Sequence, residues 1–195
     1  TATRFLAAAV ATIDGIVVID GDEHMRKRPI LPLLKSLADA GVSATSETGC
    51  PPAVIHGTGR LKAGRVVIDA GLSSQYVSAM LMVAPFGDGP VEIALSDPDI
   101  DAIGYVHLTL AAMKSFGASV EETGPGAWRV QPTGYRATDF VIEPDASAAT
   151  YLWAAEILTG GSIDLGVKAD AFTQPDARAR AVMEQFPQMP ALIDG

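Results

Sequence analysis

The stretch Leu72-Ser73-Ser74-Gln75-Tyr76-Val77-Ser78-Ala79-Met80-Leu81-Met82-Val83-Ala84-Pro85 decides how this chain is read. Gly71 breaks the chain after a run at 65–69 that reads as a strand. Ser73 and Ser74 then place hydroxyls at the start of an apolar helix, and Pro85 marks its end. Hydroxyls at a helix N-terminus cap free amides, and those amides, with the helix dipole, attract anions. A double serine taken alone is a cap and nothing more. The chain repeats related arrangements, and the repetition changes the weighting.

Before this stretch, residues 1–11 read as a helix carried by Phe5, Leu6, Ala7 and Val10. Residues 16–19 (Ile-Val-Val-Ile) read as a short buried strand, and 21–28 as a charged loop. Pro29 is placed to open a helix over 29–40, which Gly41 ends. Strands are expected at 42–46 and 53–56. After the stretch, strands are expected at 91–95, 128–131, 140–142 and 162–166. Helices are expected at 105–116, 148–158, where Gly160-Gly161 ends the run, and 176–185.

Set side by side, these elements repeat with a period of roughly 71–76 residues. Helices begin near Thr3, Ser74 and Ser147, strands near Ile16, Val91 and Ser162, and second helices near Pro29, Tyr105 and Asp176. The fold class is therefore α/β, with helices of successive units packed in a shared core and backed by sheet.

Bulk properties remove several function classes. The 195 residues are 48% apolar and can bury a real core. A net charge of −9 argues against non-specific nucleic-acid binding and against a basic membrane-surface patch. The single cysteine, Cys50, excludes an internal disulfide and fits a reducing cytoplasm. No apolar run is long enough to span a membrane, and no stretch reads as a signal peptide. The opening at Thr1 reads as that of a fragment.

Two arginines stand out by position. Arg4 lies in the first turn of the first helix, and Arg28 directly precedes Pro29. A guanidinium at a helix N-terminus opposes the dipole, a poor choice for stability and a good one for gripping an anion. His24, His56 and His107 lack metal-ligand spacing, and Asp97, Asp99 and Asp101 lack the glycine and glutamate of a calcium loop. Cys50 has no basic neighbour to activate it, and neither nucleotide-cradling glycine motif occurs. Tyr105, at a helix start, either bonds a polar ligand or packs.

Thr1-Ala2-x-Arg4, Arg28-Pro29-Ile30, Ser73-Ser74-Gln75-x-x-x-Ala79, Tyr105-x-x-x-Thr109-Leu110 and Asp145-Ala146-Ser147, in that order, resemble the middle of the 3-phosphoshikimate 1-carboxyvinyltransferases. The resemblance covers about residues 1–166. It implies repeated βαβαββ units in two domains, here most of one (1–143) and the opening of the other (144–195). It implies transfer of the enolpyruvyl group of phosphoenolpyruvate to the 5-hydroxyl of shikimate 3-phosphate, with release of phosphate and with no metal or organic cofactor. By motif match, Ser73, Ser74, Gln75 and Tyr105 hold shikimate 3-phosphate, while Thr1, Arg4, Arg28 and Gln75 face phosphoenolpyruvate.

Departures from the family pattern are specific. Ala102 stands where the family has a serine three residues before the tyrosine. The family's lysine-bearing first unit is missing, and 186–195 resembles the approach to its catalytic aspartate. No residue of this chain is assigned a catalytic role, and the expectation is a fragment inactive by itself that self-associates through uncovered apolar faces. The related UDP-N-acetylglucosamine enolpyruvyl transferases carry a reactive cysteine in the loop where this chain has 24–27, which contains none. The alternative class is a non-catalytic anion-binding or structural α/β domain.

Overall fold

The structure is a computed structural model that describes residues 1–69, 71, 73–98, 103–168 and 172–185. Contacts group the chain into two compact units, Thr1–Thr138 and Asp139–Gly195.

The first unit alternates helices and strands. Helix α1 (Ala2–Ala9) runs into a 3-10 turn at Val10–Thr12, then β1 (Asp14–Ile19), α2 (Leu31–Asp39), β2 (Ser43–Thr45) and β3 (Ala53–Thr58). A second set follows: β4 (Gly64–Ile68), α3 (Gln75–Val83), β5 (Val91–Leu95), α4 (Ile103–Ser115), β6 (Val120–Gly124) and β7 (Ala127–Val130). The strands form two sheets, ordered β1-β3-β2 and β4-β5-β7-β6. The repeat read in the sequence is visible here, because β5-β7-β6 reproduces the order β1-β3-β2. In the second set β4 pairs in parallel with β5, and the connection between them is α3.

Helix α3 is the hub. Its sequence is apolar nearly all round, and Tyr76, Val77, Ser78, Ala79, Met80, Leu81 and Val83 are all buried. It packs against α1, α2 and α4. The surrounding core includes Leu33, Leu37, Ile55, Ile93 and Trp128. Gly57 of β3 passes so close to the carbonyls of Val10 and Ile13 that a Cβ would lie 2.5 and 2.1 Å from them, so only glycine fits. Tyr135 ties the tail of the unit back to the hub by donating to the Met82 carbonyl at 2.8 Å. Burial pushes its phenol up to about 12.

Several expectations are corrected. The run at 16–19 is a strand but not a buried one: Ile16 is 68% and Val18 59% exposed, on the sheet face they share with the exposed His56 of β3. Pro29 does not open α2. The amides of Ile30 and Leu31 both donate to the Gly49 carbonyl, and this holds Pro29 and Ile30 outside a helix that starts at Leu31 with Pro32 in its first turn. Residues 140–142 form no strand, and Val141 and Ile142 stand exposed. Residues 162–166 are likewise irregular. Strand β6 is present although Glu121 and Glu122 mask it in the sequence.

The second unit contains α5 (Ala146–Thr159), a 3-10 turn at Pro175–Arg178, and the five-residue α6 (Ala179–Met183). The helix expected over 176–185 is therefore split. Asp145 caps α5, and Gly160 ends it in the left-handed conformation that glycine adopts without strain. Trp153 packs edge-on against Phe172, and Arg180 lies over the Trp153 ring while pairing with Glu156 at 2.8 Å. The Glu143 carboxylate gathers four donors: the amides of Thr173 and Gln174, the Thr173 hydroxyl and the Gln174 side chain.

Candidate functional site

The start of α3 collects most of the residues singled out in the sequence. Ser74 occupies the position before the first helical residue and is nearly buried, yet its side chain makes no capping bond. Ser73 does the capping: its Oγ accepts the Gln75 amide at 3.2 Å. Of the two serines expected to cap the helix, Ser73 alone does so.

Helix α1 packs on α3, and this brings Arg4 across to that cap. Arg4 Nη1 donates to Ser73 Oγ and to Gln75 Oε1, both at 3.0 Å, and Nη2 donates to the Pro29 carbonyl at 3.2 Å. Gln75 Nε2 in turn donates to Thr1 Oγ1 at 3.0 Å. Residues 69 to 74 positions apart therefore form one network through Gln75. Every acceptor Arg4 uses is neutral, and among the described residues neither Arg4 nor Arg28 is paired with a carboxylate. An uncompensated guanidinium beside a helix N-terminus attracts negative charge.

Arg28 lies in the segment before α2, as expected, but three residues ahead of the helix instead of directly before it. It follows the 3-10 turn Met25–Lys27 in extended conformation, exposed and outside any helix. It nevertheless shares the wall of a small cavity with Thr1, Arg4 and Pro29. The loop carrying it is braced by Arg26, which grips Asp20 through two bonds of 2.6 and 2.9 Å. Those hydrogen bonds hold the Asp20 carboxyl below its ordinary range.

A larger cavity of about 490 Å³ opens on the other side of the network. Thr1, Ser73, Ser74, Gln75 and Tyr105 line it, together with Phe5, Ser78, Leu108 and Thr109. Tyr105 lies in the first turn of α4, half-exposed at this wall. Sequence reasoning gave no role to Ser78, Thr109 or Tyr76. Thr109 Oγ1 donates to Ser78 Oγ at 2.8 Å and so stitches α4 to α3 below the cavity mouth. Among the described residues, the lining side chains include no carboxylate, imidazole or amine, and the Tyr105 phenol is their one titratable group. Ala102, Asp99, Asp101 and 186–195 lie outside the described residues. Among the described residues, no group of three or more His, Cys, Asp or Glu could hold a metal, and no helix is long and apolar enough to cross a membrane.

The chain resembles known proteins over its whole length. The family model for EPSP synthase (3-phosphoshikimate 1-carboxyvinyltransferase) matches residues 1–193. The 3-phosphoshikimate 1-carboxyvinyltransferase of Rhizobium leguminosarum bv. trifolii is 66% identical over all 195 residues, which cover 46% of that protein. That of Pseudomonas savastanoi pv. phaseolicola is 63% identical, with 47% of it covered. Among solved structures, EPSP synthase from Acinetobacter baumannii superposes with a TM-score of 0.62 at 25% identity, over 79% of this chain and 34% of that one. The chain thus spans about half the length of the curated relatives it matches.

Proposed function

We propose, from the premise that this chain belongs to the EPSP synthase (3-phosphoshikimate 1-carboxyvinyltransferase) family, that it carries one wall of a site for two anionic substrates. Ser73, Ser74, Gln75 and Tyr105 hold the phosphate and ring of shikimate 3-phosphate. Thr1, Arg4, Arg28 and Gln75 face phosphoenolpyruvate. The observation that carries this reading is the Arg4 bridge, which ties Ser73 to Gln75 and, through Gln75, to Thr1, and so makes the two substrate sets contiguous.

The reaction adds the 5-hydroxyl of shikimate 3-phosphate to the enol carbon of phosphoenolpyruvate, then eliminates phosphate. The addition needs a proton delivered to the methylene carbon and another removed from the hydroxyl, and the elimination takes a proton back from the resulting methyl group as the C–O bond to phosphate breaks. The residues of this wall supply none of these. They neutralise and align the two anions, so that the hydroxyl faces the enol carbon of phosphoenolpyruvate. A planar, always-charged guanidinium suits both phosphate and carboxylate.

Two companion readings complete the proposal. The compartment is the cytoplasm, in keeping with a lone, unpaired cysteine. The chain self-associates through an apolar groove of about 540 Å³ lined by Met82, Leu108, Met113 and Phe116; a sedimentation coefficient fixed at the monomer value at high concentration would count against this.

Calorimetric titration of the 195-residue chain with shikimate 3-phosphate tests the central reading. The expected result is weak, saturable binding that Ser74→Ala abolishes, with no turnover when phosphoenolpyruvate is added. Absence of binding at millimolar ligand would favour a structural α/β domain instead.

A further inference from the structure

Tyr76 follows Gln75 in the first turn of α3 and is completely buried, yet both of its polar features point at the site. The Arg4 guanidinium carbon lies 4.7 Å from its ring centroid. Its hydroxyl donates to the Pro29 carbonyl at 2.8 Å. That carbonyl is the same oxygen that Arg4 Nη2 reaches at 3.2 Å, so both of its lone-pair directions are used. Pro29 is directly joined to Arg28, and neither Pro29 nor Ile30 is in a helix that would fix it. The Ile30 amide is held from the other side by the Gly49 carbonyl.

We infer that Tyr76 is a positioning residue for the arginine pair: its ring is the platform over which the Arg4 guanidinium sits, and its hydroxyl pins the Arg28–Pro29 backbone beside that platform. The inference deepens the proposed phosphoenolpyruvate wall and rests on that reading for its substrate. A guanidinium stacked on an aromatic face keeps its in-plane N–H groups free to donate edgewise. Arg4 uses that edge for Ser73, Gln75 and Pro29. A residue that served only to fill the core would need neither the cation over its ring nor the hydroxyl. Met80 and Leu81, equally buried on the same helix, have no polar group to offer. Burial raises the Tyr76 phenol above its ordinary value, against the lowering effect of Arg4, so the hydroxyl stays a protonated donor through the neutral range.

The test compares the 195-residue chain with Tyr76→Phe, which keeps the platform and removes the pin, and with Tyr76→Leu, which removes both. Two readouts are taken. In ligand-free protein, the side-chain NMR signals of Arg4 carry an upfield ring-current shift in the parent and in Tyr76→Phe, and lose it in Tyr76→Leu. In calorimetry, Tyr76→Phe weakens phosphoenolpyruvate binding about threefold to tenfold, the worth of one hydrogen bond, and leaves shikimate 3-phosphate within about twofold. Equal loss of both ligands in Tyr76→Phe, or no loss of either, overturns the positioning role. If the parent binds neither ligand, the proposed substrate reading fails. The NMR readout then decides the inference alone: unchanged Arg4 shifts in Tyr76→Leu contradict it.

Discussion

Helices α3 and α5 begin at equivalent places in the repeat, yet their N-termini are finished in opposite ways. At α5 the first three amides are all occupied within the unit. Asp145 Oδ1 accepts from Ser147 and Ala148 at 2.9 and 3.2 Å, and Gln174 Oε1 accepts from Ala146 at 2.9 Å. A carboxylate there satisfies the dipole and repels any other anion. At α3 the closure uses neutral atoms only, Ser73 Oγ for Gln75 and the Ser73 carbonyl for Tyr76. A guanidinium stands where α5 has its carboxylate. One N-terminus is sealed for stability, and the other is left electrostatically open. A shared repeat thus fixes where a helix starts, and the cap residue decides whether that start is structure or site.

The contrast can be broken by exchanging its decisive group. Ser73→Asp gives α3 the kind of cap α5 has and places a carboxylate against Arg4. Shikimate 3-phosphate affinity is expected to fall about a hundredfold, since like-charge juxtaposition costs several kcal/mol, while the melting temperature holds or rises. A variant that binds as well as the parent would show that the open cap is irrelevant. A smaller effect is expected from Arg4→Lys. An ammonium keeps the charge but cannot bridge Ser73, Gln75 and Pro29 in one plane, so calorimetry should read a loss of about tenfold.

The sealed side responds in stability rather than affinity. Asp145→Ala removes a two-bond cap and should cost about 1 kcal/mol in the denaturant unfolding of the second unit, leaving ligand titrations unchanged. The smallest expected effect is a pH response around Glu143. Burial of its carboxyl acts to raise its pKa, but the donors on Thr173 and Gln174 outweigh it and the net shift is downward. A lowered folded-state pKa stabilises above the ordinary glutamate value and is lost as pH falls through the folded value. Hydrogen exchange at the Thr173 and Gln174 amides should therefore gain an opening component only at acidic pH. Glu143→Gln should show it at neutral pH as well.

How far the sequence could be read follows the same physics. Helices α3, α4 and α5 were legible because capping residues, apolar runs and glycine stops are local signals. The exposure of β1 was not, since Ile16 and Val18 read as buried until one knows that their face of the sheet stays open, His56 beside Ile16 included. Strand β6 was hidden because edge strands carry charge on purpose, as Glu121 and Glu122 do. Pro29 misled for a related reason: the carbonyl that holds the following amides belongs to Gly49, about twenty residues on. At the site, Ser73, Gln75 and Arg4 were recognisable as a set. That Tyr76 lies beneath Arg4 was not, because a buried tyrosine in an apolar helix carries no mark of what its ring faces.

The most direct measurement is an amide NMR titration of the 195-residue chain with shikimate 3-phosphate. Saturable shifts at Ser74, Gln75 and Tyr76 and at the Arg4 side chain, with the amides of 146–148 unmoved, are the predicted result. Shifts of equal size at both helix starts, or none at 74–76, would contradict the claim that α3 is the open, anion-binding end.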